Sequence, residues 1–230
     1  MARHIGIVAC SSEGAALCYR TVCVEAAARM GEHAHPQVSL HGHSLRDYMD
    51  LLAAGDRRGV ADLMLSSAEA LARAGAGFLV CPDNTIHEAF ELVEPRSPLP
   101  WLHIARVVAA EARRRGHTRL GVLGTRYLME GPVYPAALDA VGVAHEVPPA
   151  DDRLRLDAII FDELVKGRCE EASRREVVAV IARLRARGCD AVVLGCTELP
   201  LLVAPGDAPL PALDSTRLLA RAAIDEALRP

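Results

Sequence analysis

In the stretch Arg187–Val203, RGCDAVVLGCTELPLLV, a short apolar run leads directly into a thiol. Its apolar run Ala191–Leu194 is short, partly β-branched and bounded by glycines, which predicts a buried parallel strand. Cys196 follows this strand, and Thr197 and Glu198 are typical of a helix start. Open α/β sheets carry their chemistry at such strand ends. We therefore expect a reactive thiol in a strand-to-helix turn, where the helix N-terminus favours its thiolate form.

A second copy of this pattern lies earlier, in the stretch Arg73–Thr85, RAGAGFLVCPDNT. Aligning Gly75 with Gly188 gives an offset of 188 − 75 = 113 residues. The same offset aligns Asp83 with Cys196, because 196 − 83 = 113. If a pseudo-twofold axis relates the two halves, the two strand ends meet at one cleft. The repeat thus predicts a carboxyl group and a thiol on opposite walls of that cleft.

Composition excludes several classes of protein. The 230 residues carry a formal net charge of −4 without a basic block, so the footprint of a nucleic-acid binder is absent. No apolar run approaches the roughly 20 residues of a membrane span. The seven cysteines lack the paired spacing of a disulfide scaffold or zinc site, which indicates reduced thiols and a cytoplasmic protein. Gly75-Ala76-Gly77 precedes its strand, whereas a dinucleotide fingerprint follows one, so nicotinamide binding is not indicated.

Strands alternate with amphipathic helices along the chain, which predicts a right-handed parallel α/β architecture. A proline-rich segment near residue 98 marks a change of domain. We predict one domain from residues 1–98 plus 209–230 and a second from residues 99–208. The tail strand is assigned to the first domain, whose sheet otherwise has three strands. The predicted strands are His4–Ala9, Gln37–Gly42, Phe78–Val80, Arg119–Leu123, Ala144–Val147, Ala191–Leu194 and Pro209–Leu213.

Several motifs together resemble the cofactor-independent aspartate/glutamate racemase superfamily, aspartate racemase branch. They are LGCTELPLLV at 194–203, NTxH at 84–87, LGT at 123–125, DELVKG at 162–167 and the Tyr19-Arg20 pair. The resemblance implies two four-stranded α/β domains related by pseudo-twofold symmetry, an active site between them and a homodimer. It also implies proton transfer beside the carboxylate of an amino acid or dicarboxylate, without pyridoxal phosphate or metal.

The chain departs from that family at its first catalytic position. Typical members supply a cysteine in each repeated turn, whereas this chain has Asp83 in the first turn and Cys196 in the second. Cys81 lies two residues before Asp83, and we interpret it as a buried structural thiol. His87 is expected on a helix near the site rather than as a general base.

Asp83 and Cys196 suit racemisation, which needs an acid and a base on opposite faces of the α-carbon. Free aspartate and cysteine side chains have pKa values of about 3.9 and 8.5, which makes carboxylate plus thiol the resting pair at pH 7. The reverse direction needs neutral Asp83 and a thiolate, which costs roughly 6 kcal/mol across about 4.6 pKa units. Two alternatives stay open: a single-cysteine decarboxylase or isomerase of a dicarboxylate, and a noncatalytic carboxylate-binding protein.

Polar residues at predicted strand ends are candidates to bind the substrate, because a carboxylate needs hydrogen-bond donors. The hydroxyl residues among them also suit helix caps or turns. Lys166 is a candidate partner for a side-chain carboxylate, and Glu198 for the substrate ammonium. His41 and His43 share one strand face but lack a third ligand, so no metal is predicted and His43 is assigned to the substrate wall. The remaining candidates are Ser11, Ser12, Asn84, Thr85, Thr125 and Thr197.

Overall fold

The computed structural model describes residues 2–204 and 206–229, which form two units. One unit comprises Met1–Val107 and Thr216–Pro230, and the other comprises Val108–Ser215. Each contains a four-stranded parallel sheet flanked by helices, as the sequence predicts. Within the described residues, no helix combines the length and the apolar character that a bilayer crossing requires.

The first unit has a sheet of order β2-β1-β3-β4 in which all neighbours are parallel. A 3-10 turn, Thr85–Ala89, follows β3, and a second, Glu94–Arg96, precedes β4. Helix α6 contains the boundary between the units. The elements are β1 (Ile5–Ala9), α1 (Ser12–Glu25), α2 (Ala27–Met30), β2 (Val38–Gly42), α3 (Leu45–Ala53), α4 (Arg57–Arg73), β3 (Phe78–Val80), α5 (Phe90–Val93), β4 (Trp101–Leu102) and α6 (Ile104–Arg114).

Strand β1 shows why this sheet lies between two layers of helices. Ile5 and Ile7 pack in one apolar cluster, with side chains of α1 and of the C-terminal helix α12 (Ser215–Ala227). Val8 packs in a second cluster with side chains of α3 and α4. Successive side chains of a strand point to opposite faces. All five residues of β1 are buried, as expected for a parallel strand covered on both faces.

The second unit has the strand order β6-β5-β7-β8, again with all neighbours parallel. Helix α9 continues through one π-helical turn, Ile159–Glu163, into a 3-10 turn that ends at Gly167 with φ of 73°. A left-handed glycine at this position is a common helix stop. The elements are β5 (Arg119–Leu123), α7 (Arg126–Glu130), α8 (Val133–Asp139), β6 (Ala144–Glu146), α9 (Ala150–Ala158), α10 (Glu171–Ala186), β7 (Ala191–Leu194), α11 (Leu199–Leu202) and β8 (Ala212–Asp214).

The sheet assignment of the last strand is corrected by the structure. The tail strand was predicted to complete the first sheet, but β8 pairs with β7 in the second sheet, with Leu194 opposite Asp214. The fourth strand of the first sheet is instead β4, with Trp101 opposite Leu79. Strand β4 has two residues and directly follows Pro100 at the sheet edge, where a proline is tolerated. The prolines that suggested a domain linker thus introduce an edge strand.

The internal repeat is visible in the topology. Each strand of the first sheet has a counterpart four strands later at the same position in the second sheet. Strands β3 and β7 begin at Phe78 and Ala191, and 191 − 78 = 113, the offset seen in the sequence. Asp83 and Cys196 therefore follow topologically equivalent strands.

Candidate active site

Asp83 lies in the turn between β3 and the 3-10 turn that follows it. Its Oδ1 accepts a hydrogen bond from the backbone N–H of Ile86 at 3.2 Å. Its carbonyl oxygen lies 2.6 Å from Nδ1 of His87. Both the side chain and the main chain of Asp83 are thus tied to the turn, and the residue is half-buried.

A buried thiol and a buried phenol hydroxyl lie near the Asp83 turn. The Cys81 sulfur is fully buried, and burial followed by the charge of Asp83 raises the pKa of its thiol well above the usual value. Tyr48 from α3 is also fully buried, and burial, then Cys81, Cys10 and Asp83, raise the pKa of its hydroxyl. Both groups stay neutral, which agrees with the interpretation of Cys81 as structural.

The other candidates of the first unit follow neighbouring strands. Ser11 follows β1 and caps α1, because its Oγ accepts from the Gly14 N–H at 3.2 Å, whereas Ser12 is exposed. His43 follows β2, and its Nε2 is buried without a hydrogen-bond partner among the described residues. Asn84 is buried and Thr85 half-buried after β3. Since neighbouring strands are parallel, these residues lie along one edge of the sheet.

Cys196 in the second unit donates a hydrogen bond to a buried carboxyl group. Its Sγ lies 2.9 Å from Oε2 of Glu198, and Oγ1 of Thr197 lies 2.7 Å from the same oxygen. The thiol and the hydroxyl donate, because an ionised carboxylate only accepts. All three residues are less than 9% exposed. The motif predicted these residues but not that the carboxylate contacts the sulfur.

The backbone before Cys196 requires glycine. The Gly195 N–H donates to the Leu123 carbonyl oxygen at 2.7 Å, which draws the ends of β5 and β7 together. A Cβ at Gly195 would lie 2.5 Å from Leu128 Cδ2 and 2.9 Å from the Leu123 carbonyl oxygen. Both distances are shorter than real Cβ contacts allow. Gly195 therefore permits the close approach that sets the position of the thiol.

The expected helix-dipole effect on Cys196 is corrected. The following helix α11 has four residues and begins three positions after the thiol. A single helical turn carries little of the macrodipole that a longer helix develops. The Glu198 carboxyl group lies at the sulfur instead, and it accepts a hydrogen bond from the thiol.

Thr125 and Lys166 lie in the second unit. Thr125 follows β5 and caps α7 by accepting from the Leu128 N–H at 3.3 Å. Lys166 lies on the 3-10 turn before Gly167, with Nζ 3.4 Å from Asp162 Oδ1 and 59% of its side chain exposed. The structure thus brings Thr125 to the sheet edge of Cys196, while Lys166 belongs to a surface turn.

The residues at the end of β8 were not predicted to lie at the sheet edge that carries Cys196. Asp214 ends β8, and the buried Ser215 Oγ donates to the Leu194 carbonyl oxygen at 2.9 Å. Tyr134 from α8 is fully buried, and burial raises its pKa although a hydrogen bond with Ser215 lowers it. The Asp214-Ser215-Thr216 run was the available signal, but the assignment of β8 to the other sheet hid it.

Metal ligation receives no support from the described part of the chain. Among residues 2–204 and 206–229, no three His, Cys, Asp or Glu side chains form a metal-binding group. His41 Nδ1 lies 3.0 Å from Ser67 Oγ, so this histidine has a protein partner.

Known racemases resemble this chain in sequence and in fold. The family profile described as Asp/Glu/hydantoin racemase matches residues 7–223. A candidate Asp/Glu racemase from Yersinia pestis is 34% identical, with a TM-score of 0.91 over 99% of this chain and 100% of that one. An aspartate racemase homologue from Pyrococcus horikoshii is 26% identical, with a TM-score of 0.86 over 99% and 100%. An aspartate racemase from Picrophilus torridus shares the fold at 18% identity and a TM-score of 0.76, over 98% of this chain and 94% of that one.

Proposed function

The chain belongs to the Asp/Glu/hydantoin racemase family, and we propose that it racemises aspartate or glutamate without pyridoxal phosphate or metal. In this proposal Asp83 and Cys196 act as acid and base on opposite faces of the α-carbon. The observation that carries it is the Cys196 thiol at the end of β7, hydrogen-bonded to the buried carboxylate of Glu198. The equivalent position of Asp83 after β3 supplies the second group.

In each direction of the reaction one group takes a proton from the substrate and the other group returns one. The Asp83 carboxylate removes the α-proton of one enantiomer, and the Cys196 thiol delivers its proton to the opposite face. The enzyme then holds neutral Asp83 and a Cys196 thiolate, which is the form that acts on the other enantiomer. Return to the resting form moves one proton from Asp83 to Cys196.

Glu198 gives the thiol proton a second position. Transfer over the 2.9 Å contact yields a thiolate and a neutral carboxylic acid, with no change in the net charge of the pair. Between a free thiol and a free glutamate carboxyl in water, with pKa values of about 8.5 and 4.3, such a transfer is roughly 6 kcal/mol uphill. Desolvation by bound substrate destabilises the thiolate as well as the carboxylate, so it does not by itself remove that cost. In this proposal the Glu198 carboxylate, and not the helix dipole, accepts the thiol proton when the thiolate forms.

The polar groups at the strand ends are proposed to hold the substrate. The hydroxyls of Ser11, Thr125 and Thr197 each carry a proton that can be donated to a carboxylate or to the enediolate formed from it. The proposed substrate-binding set at the strand ends is Ser11, Ser12, His43, Asn84, Thr85, Thr125, Thr197 and Glu198. Lys166, on its surface turn, is proposed in addition as a partner for a side-chain carboxylate.

The proposal is tested by chiral chromatography of each enantiomer of aspartate and glutamate after incubation with the protein and its variants. Cys196→Ser and Asp83→Asn are each expected to lose at least about 10²-fold in kcat, because each removes a general acid or base. The matched controls are Cys169→Ser and Asp151→Asn, which change exposed residues. Retained turnover in Cys196→Ser would overturn the assignment of the site. Retained turnover in Asp83→Asn alone would replace two-base chemistry by single-cysteine chemistry.

Two further predictions concern the oligomeric state and the cellular location. A homodimer is proposed, and sedimentation equilibrium should give twice the chain mass. A cytoplasmic location is proposed as well, and cell fractionation of the native host checks it.

A further inference from the structure

His87 is bound to the main chain of Asp83 through one nitrogen. Its Nδ1 lies 2.6 Å from the Asp83 carbonyl oxygen, and the ring is 3% exposed. A carbonyl oxygen only accepts, so Nδ1 carries the proton and donates. The Ile86 N–H donates to Asp83 Oδ1 from the same turn. These two hydrogen bonds, one to the main chain and one to the carboxylate, hold Asp83 in its turn, and the Cys81 sulfur lies 4.0 Å from the same carbonyl oxygen.

The His87 ring is held by aromatic neighbours of the first unit. It stacks on Phe90 with centroids 5.4 Å apart and an interplanar angle of 19°. The ring of His103 meets it edge-on at 4.6 Å. These contacts fix the side-chain rotamer of His87, so its Nδ1–H points at the Asp83 carbonyl without a further entropic cost on substrate binding.

His87 is neutral at physiological pH. Burial lowers its pKa to about 4, although its hydrogen bond to Asp83 acts in the opposite direction. Burial also lowers the pKa of His103, to about 2. Because Nδ1 carries the proton, Nε2 has the lone pair, and that atom is buried with no hydrogen-bond partner in the described part of the chain.

The neutral state of His87 affects the protonation of the Asp83 carboxyl group. An imidazolium next to Asp83 would stabilise the carboxylate and disfavour the neutral acid that the reverse reaction needs. The nearby Arg106 cation binds both carboxylate oxygens of Glu94, at 2.8 and 3.1 Å. The groups that face His87 therefore leave it uncharged while it holds the turn.

We propose that His87 is the positioning residue for Asp83: its Nδ1–H bond to the Asp83 carbonyl sets the carboxyl group for proton transfer without adding a charge. This inference rests on the proposed function. It assigns to His87 no contact with the substrate and no proton transfer of its own.

The variants separate the hydrogen bond from the bulk of the ring. His87→Phe keeps the stacking but has no donor, whereas His87→Asn places an amide N–H near the position of Nδ1. We expect His87→Phe to lower kcat about ten- to a hundredfold by displacing Asp83. His87→Asn should recover most of that loss, and KM should change little in either variant. His87→Gln, whose amide lies nearer the position of Nε2, is the second variant that lacks a donor at the Nδ1 position, and His145→Asn is the matched control on β6.

Isotope effects identify which proton transfer has slowed. Both α-deuterated enantiomers are assayed with each variant. In His87→Phe the primary isotope effect should rise for the enantiomer that Asp83 deprotonates and fall for the other, because the Asp83 step becomes rate-limiting. A general loss of folded protein lowers both rates and leaves both isotope effects unchanged. Unchanged isotope effects, or a wild-type kcat in both His87→Phe and His87→Gln, would overturn the inference.

A measurement without catalysis separates this inference from the proposed function. Amide hydrogen exchange at Ile86, followed by NMR, reports the bond to Asp83 Oδ1. Exchange should be at least about tenfold faster in His87→Phe and near wild type in His87→Asn. If wild-type protein does not racemise, the function fails while this result still decides whether His87 positions Asp83. Equal exchange in both variants would refute the positioning role.

Discussion

Replacing Glu198 perturbs the group that contacts the catalytic thiol. Glu198→Gln preserves size and leaves an acceptor for Cys196 and Thr197, but it cannot accept the thiol proton. The hydrogen bond at 2.9 Å also becomes a bond to a neutral acceptor. Its net stabilisation falls from about 1.5–3 kcal/mol, typical of a bond to a charged group, to about 0.5–1.5 kcal/mol. Loss of a general base costs typically about 10²–10⁴ in rate, and we expect kcat to fall within that range.

Glu198→Asp tests whether contact or charge matters. It retains the carboxylate but withdraws it by one C–C bond, about 1.5 Å, which breaks the contact with Cys196 Sγ. We expect a loss similar to that of Glu198→Gln. Glu171→Gln, an exposed change on α10, is the control.

Initial rates from each enantiomer of aspartate and glutamate, measured by chiral chromatography, give kcat and KM for every variant. Thermal unfolding followed by circular dichroism verifies that the variants are folded. A Glu198→Gln kcat within about tenfold of wild type, less than about 1.4 kcal/mol in barrier, would refute the role of Glu198. An active Glu198→Asp beside an inactive Glu198→Gln would show that charge alone suffices.

Three further predictions concern stability. Gly195→Ala should lower the free energy of unfolding by about 1–3 kcal/mol through overpacking, and an unchanged urea midpoint would contradict this. Ser215→Ala removes the buried bond to the Leu194 carbonyl and should cost about 1–3 kcal/mol by calorimetry, against less than about 0.5 for exposed Ser12→Ala. Acidification from pH 6.5 to 4 protonates His87 in the unfolded state before the folded state, so it should cost up to about 3 kcal/mol. In His87→Asn this part of the pH dependence of unfolding should disappear; an unchanged profile would exclude His87 as its source.

Much of the fold could be predicted because buried parallel strands leave a strong local pattern. The apolar run of β7 between two glycines predicts both the strand and the turn that carries Cys196. Strand β4 has two residues after Pro100, too short for any periodic pattern, and it was missed. Strand β8 was found, but its sheet depends on packing of distant segments, which the local sequence does not encode.

The candidate site was predictable in its residue types and less so in its contacts. The repeat and the GCTELP motif indicate Asp83 and Cys196. The contact of Glu198 with the sulfur depends on a side-chain rotamer within a buried turn. Tyr48 and Tyr134 read as ordinary helix residues in the sequence, and their positions near the two turns emerge only from packing.

Proton NMR in D₂O detects exchange of the α-proton between two protein groups. The purified protein is incubated with each enantiomer of aspartate and glutamate, with no cofactor added. We expect the α-proton signal of at least one of these amino acids to disappear while its opposite enantiomer accumulates. Persistence of the α-proton signals of all four substrates, with folded protein present, would contradict this expectation.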